Sequence, residues 1–305
     1  MSRSTAEIEY RPATEDDYEG VVAFTEQTWS DLDVEVSDYL PDVYHEWIGG
    51  DRRQTIVADA GDQIAGIAQV VLLSSREGWA QGMRVNPDFR GEGIGRAIND
   101  RLFAWARDRG ATVVRNMVFS WNQAGLGQSR ALGYEPTTEF RWLHPEPDGA
   151  AVDDLDSYRG SPDAAWTYWT ASGARDHLRG LALDPVESWA LRELTPSILA
   201  EAADDDRLLT VGGENGTRAL SYLTRVEDQE TDDGTQRLAE YGLGAWADTE
   251  AAGRLLDAIA ADAAERGAET TRVLIPETAR YVSDGAAHHV EIADHPDFVL
   301  AATVE

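Results

Sequence analysis

Residues 82–96, GMRVNPDFRGEGIGR, decide the local fold of the first half of the chain. The first four residues form the end of a predicted strand, which Pro87 stops because proline cannot continue a ladder and disfavours helix before it. Three glycines follow at alternate positions. Beyond them, apolar residues recur at the spacing of one helix face: Ile94, Ile98, Leu102 and Trp105. The stretch therefore predicts a strand, a glycine-rich loop and a helix in succession.

A glycine-rich loop that opens a helix is typical of an anion-binding site. The first amides of a helix have no partner within it, and the helix dipole places partial positive charge behind them. Phosphate is the usual ligand of such a loop. The loop lacks the Gly-Lys-Ser/Thr ending of a P-loop and the GxGxxG spacing of a dinucleotide fold, and no acidic residue is placed to bind a ribose. A glycine turn without a ligand is the alternative.

The same run resembles motif A of the GNAT superfamily of acyl-CoA-dependent N-acyltransferases, V-x-P-x-x-R-G-x-G-I-G. The matching residues are Val85, Pro87, Arg90, Gly91, Gly93, Ile94 and Gly95. The resemblance implies an α/β fold with a mixed sheet, acetyl-CoA (coenzyme A) as co-substrate, and no metal. Its pyrophosphate would be bound by Arg90, Gly91, Glu92, Gly93, Ile94, Gly95 and Arg96. Its pantetheine would be bound by backbone groups of Met83 and Val85, where a bulge parts two strands.

A second block, residues 122–134 (NQAGLGQSRALGY), resembles motif B of the same superfamily. Asn122, Leu132 and Gly133 match, and Tyr134 takes the terminal aromatic position, which normally packs into the core. Asn122 is expected to contribute to cofactor binding. The seventh position is Ser129, whereas many family members carry there a Tyr that protonates the CoA thiolate. Ser129 can donate a hydrogen bond but is a far weaker acid.

The usual proton acceptor of the family is also replaced. On the strand before motif A, a glutamate commonly accepts the proton of the amine through water, and the matching strand offers Gln81, which cannot act as a base. Possible replacements are Glu77, Asp31, Asp33 and Glu35. Orientation of the amine against the thioester supplies much of the rate, and a positioned base adds typically 10²–10⁴-fold. The cofactor assignment is therefore stronger than the catalytic one.

Periodicity and turn residues predict further elements of the first half. Strands are expected at residues 8–13, 54–59, 63–72, 79–85 and 113–119, and Thr14 is the expected cap of a first helix because acidic residues follow it. The strand, loop, helix and strand between residues 79 and 119 imply a parallel pair.

The length of 305 residues suggests two domains. Residues 1–147 are the predicted N-acetyltransferase domain, and residues 148–180 are a predicted linker with an aromatic cluster. Residues 181–305 repeat the order of predicted elements, so we expect a second, degenerate GNAT-like domain. Its loop, residues 245–253 (AWADTEAAG), has neither the glycines nor the positive charge of the first. An unrelated α+β domain is the alternative.

Composition limits the partners. The net charge is −30, and the 26 basic residues are all Arg, which disfavours binding to nucleic acid or to anionic membranes. At molar salt the Debye length falls to about 3 Å, so this charge resembles that of a halophile, of haloarchaeal type, whose stability rises with KCl. An acidic mesophilic protein is the alternative. Cysteine is absent, and no run reaches the roughly 20 apolar residues of a membrane span, so we expect a cytoplasmic protein. The oligomeric state is not predicted.

The resemblance implies an N-acetyltransferase that transfers an acetyl group from acetyl-CoA to a primary amine, in a small molecule or in a protein N-terminus or lysine. Residues 38–41 (DYLP) and 82–85 (GMRV), with Tyr44 and Trp47, also resemble the histidine N-acetyltransferase branch. Three alternatives stay open: a GNAT-fold acyl-CoA-binding or regulatory protein without efficient catalysis, a regulator that binds a nucleotide or phosphate, and an acyltransferase for longer chains.

Overall fold

The computed structural model describes residues 8–25, 38–231 and 234–304. Residue contacts separate two units, which are described here one at a time. Unit 1 comprises Met1–Asn116, Gly127–Glu135 and Leu300–Glu305, and unit 2 comprises Met117–Leu126 and Pro136–Val299. Among the described helices, none is both long enough and apolar enough to cross a membrane.

Unit 1 is built around the glycine loop. Its elements in chain order are β1 (Glu9–Pro12), α1 (Tyr18–Thr25), α2 (Leu40–Val43), β2 (Arg53–Asp59), β3 (Ile64–Leu72), β4 (Glu77–Val85), α3 (Ile94–Arg107), β5 (Val113–Phe119) and α4 (Gln123–Ala131). Short 3₁₀ turns precede α1 (Glu15–Asp17), follow α2 (Tyr44–Trp47) and precede the glycine loop (Pro87–Phe89). The last residues of β5 and the first of α4 are grouped with unit 2.

The strands of unit 1 pair in the order β1-β2-β3-β4-β5. All neighbours are antiparallel except β4 and β5, which pair in parallel where Glu77 to Trp79 face Val113 to Arg115. The predicted parallel pair is therefore present. The connecting helix α3 buries Ile94, Ile98 and Leu102 on its inner face, as its periodicity predicts.

The strand before the loop carries the bulge that the family resemblance implies. Between β3 and β4, Ile67 pairs with Arg84 and Gln69 pairs with Gln81, so both Gly82 and Met83 face one residue of β3. Gly82 has a φ of +65°, which favours glycine. A Cβ on Gly82 would lie 2.3 Å from the ring of Trp47, so no side chain fits there.

Unit 2 contains the rest of the described α-helices and strands, and a 3₁₀ turn at Leu155–Tyr158. They are β6 (Glu135–His144), α5 (Pro162–Thr170), α6 (Gly173–His177), β7 (Leu181–Leu183), β8 (Leu191–Glu193), α7 (Pro196–Asp204), β9 (Leu208–Gly213), β10 (Gly216–Thr231), β11 (Gly234–Trp246), α8 (Thr249–Glu265), β12 (Thr270–Pro276), α9 (Ala279–Ala287), β13 (Glu291–Ile292) and β14 (Asp297–Thr303). The last residues of β14 are grouped with unit 1, where the Val304 amide donates to the Thr112 carbonyl.

The sheet of unit 2 has the order β6-β12-β11-β10-β9, with β13 on β6, while β7 and β8 form a separate pair. β10 and β11 are antiparallel, β11 and β12 are parallel, and α8 connects the parallel pair. Here too the strand before the helix is bulged, because Gly242 and Leu243 both face Tyr222. Unit 2 thus contains an antiparallel pair, a bulged strand and a parallel crossing in the same order as unit 1.

The segment predicted as a linker, residues 148–180, is folded. It forms α5 and α6, and the side chains of Trp169 and Leu178 are completely buried within unit 2. Its Pro and Asp residues favour exposed loops, but the apolar face of α5 needs a partner, and α5 packs against β10 and α7. By their contacts, Met117–Leu126 and residues 136–147 belong to unit 2, whereas the predicted first domain, residues 1–147, includes them.

Candidate active site

The loop between β4 and α3 presents backbone amides without acceptors. The first bond of the helix ladder runs from the Ala97 amide to the Gly93 carbonyl. In the part of the chain that the structure describes, the amides of Gly91, Gly93, Ile94, Gly95 and Arg96 donate to no other group. No side chain caps the helix at Gly93. Four or five N–H groups at a helix N-terminus suit a phosphate or pyrophosphate anion.

The backbone of this loop is open to a ligand. Gly91 and Gly93 have φ values of +83° and +81°, and a Cβ on either would meet no atom within 4 Å. Their side-chain directions therefore point into open space. A group as large as a pyrophosphate can approach these amides closely only because both positions lack side chains.

The third glycine has a packing role. A Cβ on Gly95 would lie 2.6 Å from Nε2 of Gln128, 3.6 Å from the Val85 side chain and 3.7 Å from Sδ of Met83. The end of β4, the first turn of α3 and the middle of α4 therefore meet at Gly95. The structure thus brings together three of the predicted cofactor-binding residues.

The charged side chains of the loop are all exposed. Arg90 and Glu92 flank Gly91, and neither makes an ion pair with another described residue. Arg96 has a structural partner, since its Nη2 donates to the Ala131 carbonyl at 2.6 Å at the end of α4. Because Arg90 and Arg96 outweigh Glu92, the local charge favours an anion in an otherwise acidic chain.

Ser129 and Asn122 both lie at α4. Ser129 is buried within unit 1, and its Oγ accepts a hydrogen bond from Nδ2 of Asn116 at 2.9 Å, while the Asn116 Oδ1 has no partner. The Ser129 hydroxyl proton therefore stays available for a further acceptor. Asn122 begins α4, and its Oδ1 accepts from the Gly125 amide at 2.8 Å. Asn122 is thus a helix cap in this structure.

Tyr134 lies in the core, as its place in motif B implies. It is 1% exposed, its hydroxyl is 3.4 Å from Oδ1 of Asn99, and its ring packs on Phe103. Burial raises the pKa of Tyr134 well above its ordinary value. It is therefore not a substitute proton donor.

Gln81 ends a chain of buried amide hydrogen bonds. Gln69 donates from Nε2 to the Trp47 carbonyl (3.2 Å) and to Oγ1 of Thr55 (2.8 Å), and its Oε1 accepts from Nε2 of Gln81 at 2.8 Å. The Trp47 carbonyl can only accept, so it fixes which way both glutamines point. Gln81 is a rigid, neutral group at the position of the usual glutamate.

Glu77 lies at the other end of β4. Its carboxylate is buried, accepts from Arg115 at 2.7 Å and from Ser74 at 2.9 Å, and stands eight residues before Val85. Eight strand residues span about 26 Å. This placement favours a structural ion pair over proton transfer at the loop. The other predicted carboxylates, Asp31, Asp33 and Glu35, lie outside the described residues.

Sequence reasoning missed one cluster beside the bulge. The Arg84 guanidinium makes a bidentate ion pair with Asp38, which begins the segment leading into α2. The ring of Tyr39 packs on this guanidinium and against Trp47. Tyr39 is 40% exposed as a whole, but desolvation of its hydroxyl raises its pKa, opposed by the positive charge of Arg84. DYLP and GMRV are quoted above as a resemblance, but no spacing rule joins positions 46 residues apart.

Comparison with known proteins matches this site to one family. Residues 21–134 match the model of the Acetyltransferase (GNAT) family. The L-amino acid N-acyltransferase MnaT of Escherichia coli strain K12 is 27% identical over 138 residues, covering 41% of this chain and 79% of MnaT. The histidine N-acetyltransferase of Oreochromis niloticus is 28% identical over 92 residues, covering 30% of this chain. That match spans only 26% of the fish protein's length.

One solved structure resembles the chain over nearly all of its length. The GCN5-related N-acetyltransferase from Sphaerobacter thermophilus has a TM-score of 0.59 and 16% identity, covering 98% of this chain and 96% of that one. At this identity the likeness shows the fold. Residues 21–134 therefore match the GNAT family of acetyltransferases, and the chain shares a mixed α/β fold with this solved acetyltransferase. The family match makes the domain that carries the loop an acyltransferase domain, of a fold whose enzymes use acetyl-CoA.

Proposed function

We propose that this chain transfers the acetyl group of acetyl-CoA to the primary amine of a small molecule or peptide, and that unit 1 binds the CoA. The observation that carries the proposal is the set of uncapped amides at Gly91 and at residues 93–96, open to solvent at both left-handed glycines. A bulged strand leads directly into it. These features fit a pyrophosphate followed by an extended pantetheine arm.

The residues of unit 1 divide the binding between them. The amides of the loop would hold the pyrophosphate, with Arg90 and Arg96 adding positive charge nearby. Backbone groups of Met83 and Val85 beside the bulge would hold the pantetheine. When bound, acetyl-CoA supplies the activated thioester.

The chain's own contribution to the reaction is orientation more than proton transfer. Gln81 is neutral and fixed by Gln69, so it can hold an amine but cannot take its proton. Ser129 can donate a hydrogen bond to the departing sulfur, since its own Oγ already accepts from Asn116. The amine must therefore arrive uncharged or lose its proton to water. We expect the rate to rise with pH through the pKa of the acceptor amine.

Two relatives suggest where to begin with acceptors. MnaT is described as acting on L-amino acids and the fish protein on histidine. We therefore propose a free amino acid as the first acceptor class to test. From the sequence we also predict that the carboxylates of Asp31, Asp33 and Glu35, which lie outside the described residues, line the acceptor pocket and would favour a cationic amine.

Unit 2 is proposed to be a GNAT-like repeat that binds no CoA. Its order of strands, its bulge at Gly242 and its parallel crossing around α8 support the repeat. The side chains of Asp248, His288 and Asp284 cover the start of α8, which supports the absence of CoA there.

A non-catalytic acyl-CoA-binding protein is the second candidate. Ser129 and Gln81 favour it, since both usual proton-transfer groups of the family are replaced. Purified protein is incubated with acetyl-CoA and a panel of the twenty amino acids, lysine peptides and polyamines, and both released CoA and acetylated product are measured by mass spectrometry. The proposed activity requires an acetylated amine in amounts equal to the CoA released.

Gly93→Glu serves as the inactive control in the same assay. Tight binding of acetyl-CoA without any acetylated product across the panel would support the second candidate. Absence of acetyl-CoA binding would overturn both.

A further inference from the structure

The bulge on β4 is held by a buried ion pair. The Nε of Arg84 donates to Oδ2 of Asp38 at 2.8 Å, and its Nη2 lies 3.3 Å from Oδ1. The Asp38 side chain is 3% exposed and the Arg84 side chain 11%. The pair is therefore largely withdrawn from water, where loss of one partner is costly.

The same guanidinium also binds the bulge itself. The Nη1 of Arg84 donates to the carbonyl of Met83 at 3.2 Å. Met83 is one of the two bulge residues opposite Ala68, so its peptide groups are not held by regular ladder pairing. This bond from Arg84 restrains the direction of the Met83 carbonyl.

Aromatic rings hold the pair and the bulge from the side of α2. The Trp47 ring occupies the space that a side chain at Gly82 would need, and Tyr39 lies between Trp47 and Arg84. The side chain of Leu40 also packs here, 3.5 Å from the position that a Cβ on Gly82 would take. The start of α2 and the turn after it therefore pack against β4 at Gly82 and restrain the bulge there.

From this geometry we propose that Asp38 and Arg84 are positioning residues that set the orientation of the Met83 peptide for the acyl end of the bound co-substrate. The inference rests on the proposed function, which places the pantetheine on β4. Asp38 acts through Arg84, and Arg84 acts through the Met83 carbonyl. The loop amides lie beyond the 3₁₀ turn Pro87–Phe89, so we expect them to need neither residue.

Two ligands separate these roles. Acetyl-CoA needs both the loop and β4, whereas adenosine 3′-phosphate 5′-diphosphate ends before the pantetheine and needs the loop alone. We expect Asp38→Asn and Arg84→Met to weaken acetyl-CoA binding about ten-fold, the loss of one to two hydrogen bonds, with unchanged binding of the truncated ligand. The double variant should bind no more weakly than Arg84→Met alone, because the two side chains act in series.

Arg115→Met is the matched control. Arg115 makes a buried ion pair with Glu77 at the far end of the same strand, with side-chain exposures of 9% and 8%. Its loss should lower stability as much as that of Arg84 while leaving both ligands bound as in the wild type. Equal weakening by Arg84→Met and Arg115→Met would mean a purely structural role and would overturn the proposal.

Methyl NMR gives a readout that needs no activity. Met83 is one of three methionines in the chain, so ¹³C-methyl labelling yields a small set of signals. Asp38→Asn should shift the Met83 signal without ligand and reduce its response to acetyl-CoA, and Arg115→Met should do neither. If Arg84→Met does not fold, Asp38→Asn and Arg84→Lys carry the test, and an unchanged Met83 signal in both overturns the proposal.

The two proposals can fail separately. If no amine is acetylated by the wild type but acetyl-CoA binds, the transferase proposal fails while the binding and NMR results still decide the role of the ion pair. Where turnover exists, the variants should lower kcat for acetyl transfer as well as acetyl-CoA affinity.

Discussion

α3 in unit 1 and α8 in unit 2 each follow a bulged strand and connect it to a parallel neighbour. The backbone amides at the two helix starts differ in whether side chains cap them. At α3 no side chain caps the helix. At α8, Asp248 is the cap and its Oδ1 accepts from the Ala251 amide at 3.0 Å. The carboxylate of Asp248 also pairs with Arg218.

Other side chains of unit 2 cover the rest of this end. Nε2 of His288 is 2.7 Å from the Thr249 carbonyl, and its ring occupies the space that a side chain at Gly253 would need. Asp284 of α9 accepts from Thr249 and from the indole of Trp246, and Arg280 donates to the Ala247 carbonyl. The amides at the start of α8 are therefore capped and covered by side chains, whereas those at the start of α3 are left for a ligand, as the proposed CoA site requires.

The contrast between the two helix starts depends on the glycine loop being the CoA-binding site. Gly93→Glu tests this and has the largest expected effect on CoA affinity. The new side chain would enter the anion's space with a negative charge, in a backbone conformation that favours glycine. Loss of two charge-assisted bonds costs roughly 3–6 kcal/mol, or two to four orders of magnitude in CoA affinity. Calorimetric titration measures it.

Gly61→Glu is the control for backbone strain alone. Gly61 has a φ of +92° in the turn between β2 and β3, with open space around it. It should lose stability but bind CoA normally, at one equivalent per chain. Two equivalents bound to the wild type, or tight binding by Gly93→Glu, would show that the site has been misplaced.

The units also differ in how they hold a buried acid. Asp17 of unit 1 is paired with Arg11, and although burial raises its pKa, the bonds from Arg11 and Thr14 outweigh this and lower it. Asp297 of unit 2 is 5% exposed and accepts one bond from the Trp142 indole. Burial raises the pKa of Asp297 to about 7, opposed by Trp142 and by the charges of Arg272 and Arg141.

The two acids should therefore act on stability with opposite signs. Between pH 4 and 7, Asp297 keeps a proton in the folded protein that it has lost in the unfolded chain. Its contribution to the free energy of unfolding therefore falls as pH rises, by about 4 kcal/mol in all. The free energy of unfolding is measured in urea from pH 4 to 8. As the pH rises over this range, the value for Asp297→Asn should increase relative to that of the wild type by about 4 kcal/mol. Asp17→Asn, measured from about pH 2 to 5, should instead fall behind the wild type as pH rises, because the lowered pKa lets the folded carboxylate ionise at a lower pH than the unfolded one. Parallel pH curves for all three proteins would contradict the assignment.

Sequence predicted the local elements well. The five strands expected in the first half match β1 to β5 within two residues, and Thr14 binds the Asp17 carboxylate at the predicted helix start. In these places glycine, proline and periodicity act within a few residues. Most of the predicted elements of residues 181–305 are also present for the same reason, including α8 and β12.

Pairings between distant positions could not be predicted. α5 and α6 were not predicted because loop-forming residues flank them in the sequence, although a side chain as large and apolar as that of Trp169 favours a buried position. Asp38 and Arg84 are 46 residues apart, and Asn116 meets Ser129 only because β5 and α4 pack together within unit 1. The glycine loop could be predicted because one short segment carries every group that it needs.

A smaller effect tests the proposal that unit 2 binds no CoA. Asp248→Ala removes the cap of α8, which typically costs about 1 kcal/mol of stability. Because His288, Asp284 and Arg280 still cover the helix start, we expect no second CoA equivalent in calorimetry. If the variant binds two equivalents, the single carboxylate would be the whole difference between the units.

The smallest expected effect concerns the charge of the loop. Arg90 is exposed, so its removal should weaken CoA binding only a few-fold, under about 1 kcal/mol, because a solvated charge is screened. At 1 M KCl, where the Debye length is about 3 Å, Arg90→Ala and wild type should bind alike, while Gly93→Glu stays defective. Arg101→Ala, on the exposed face of α3, changes the net charge equally and should have no effect at any salt concentration. A salt-independent loss in Arg90→Ala would mean a direct contact to the ligand, and the amides of unit 1 would then be only part of what unit 2 lacks.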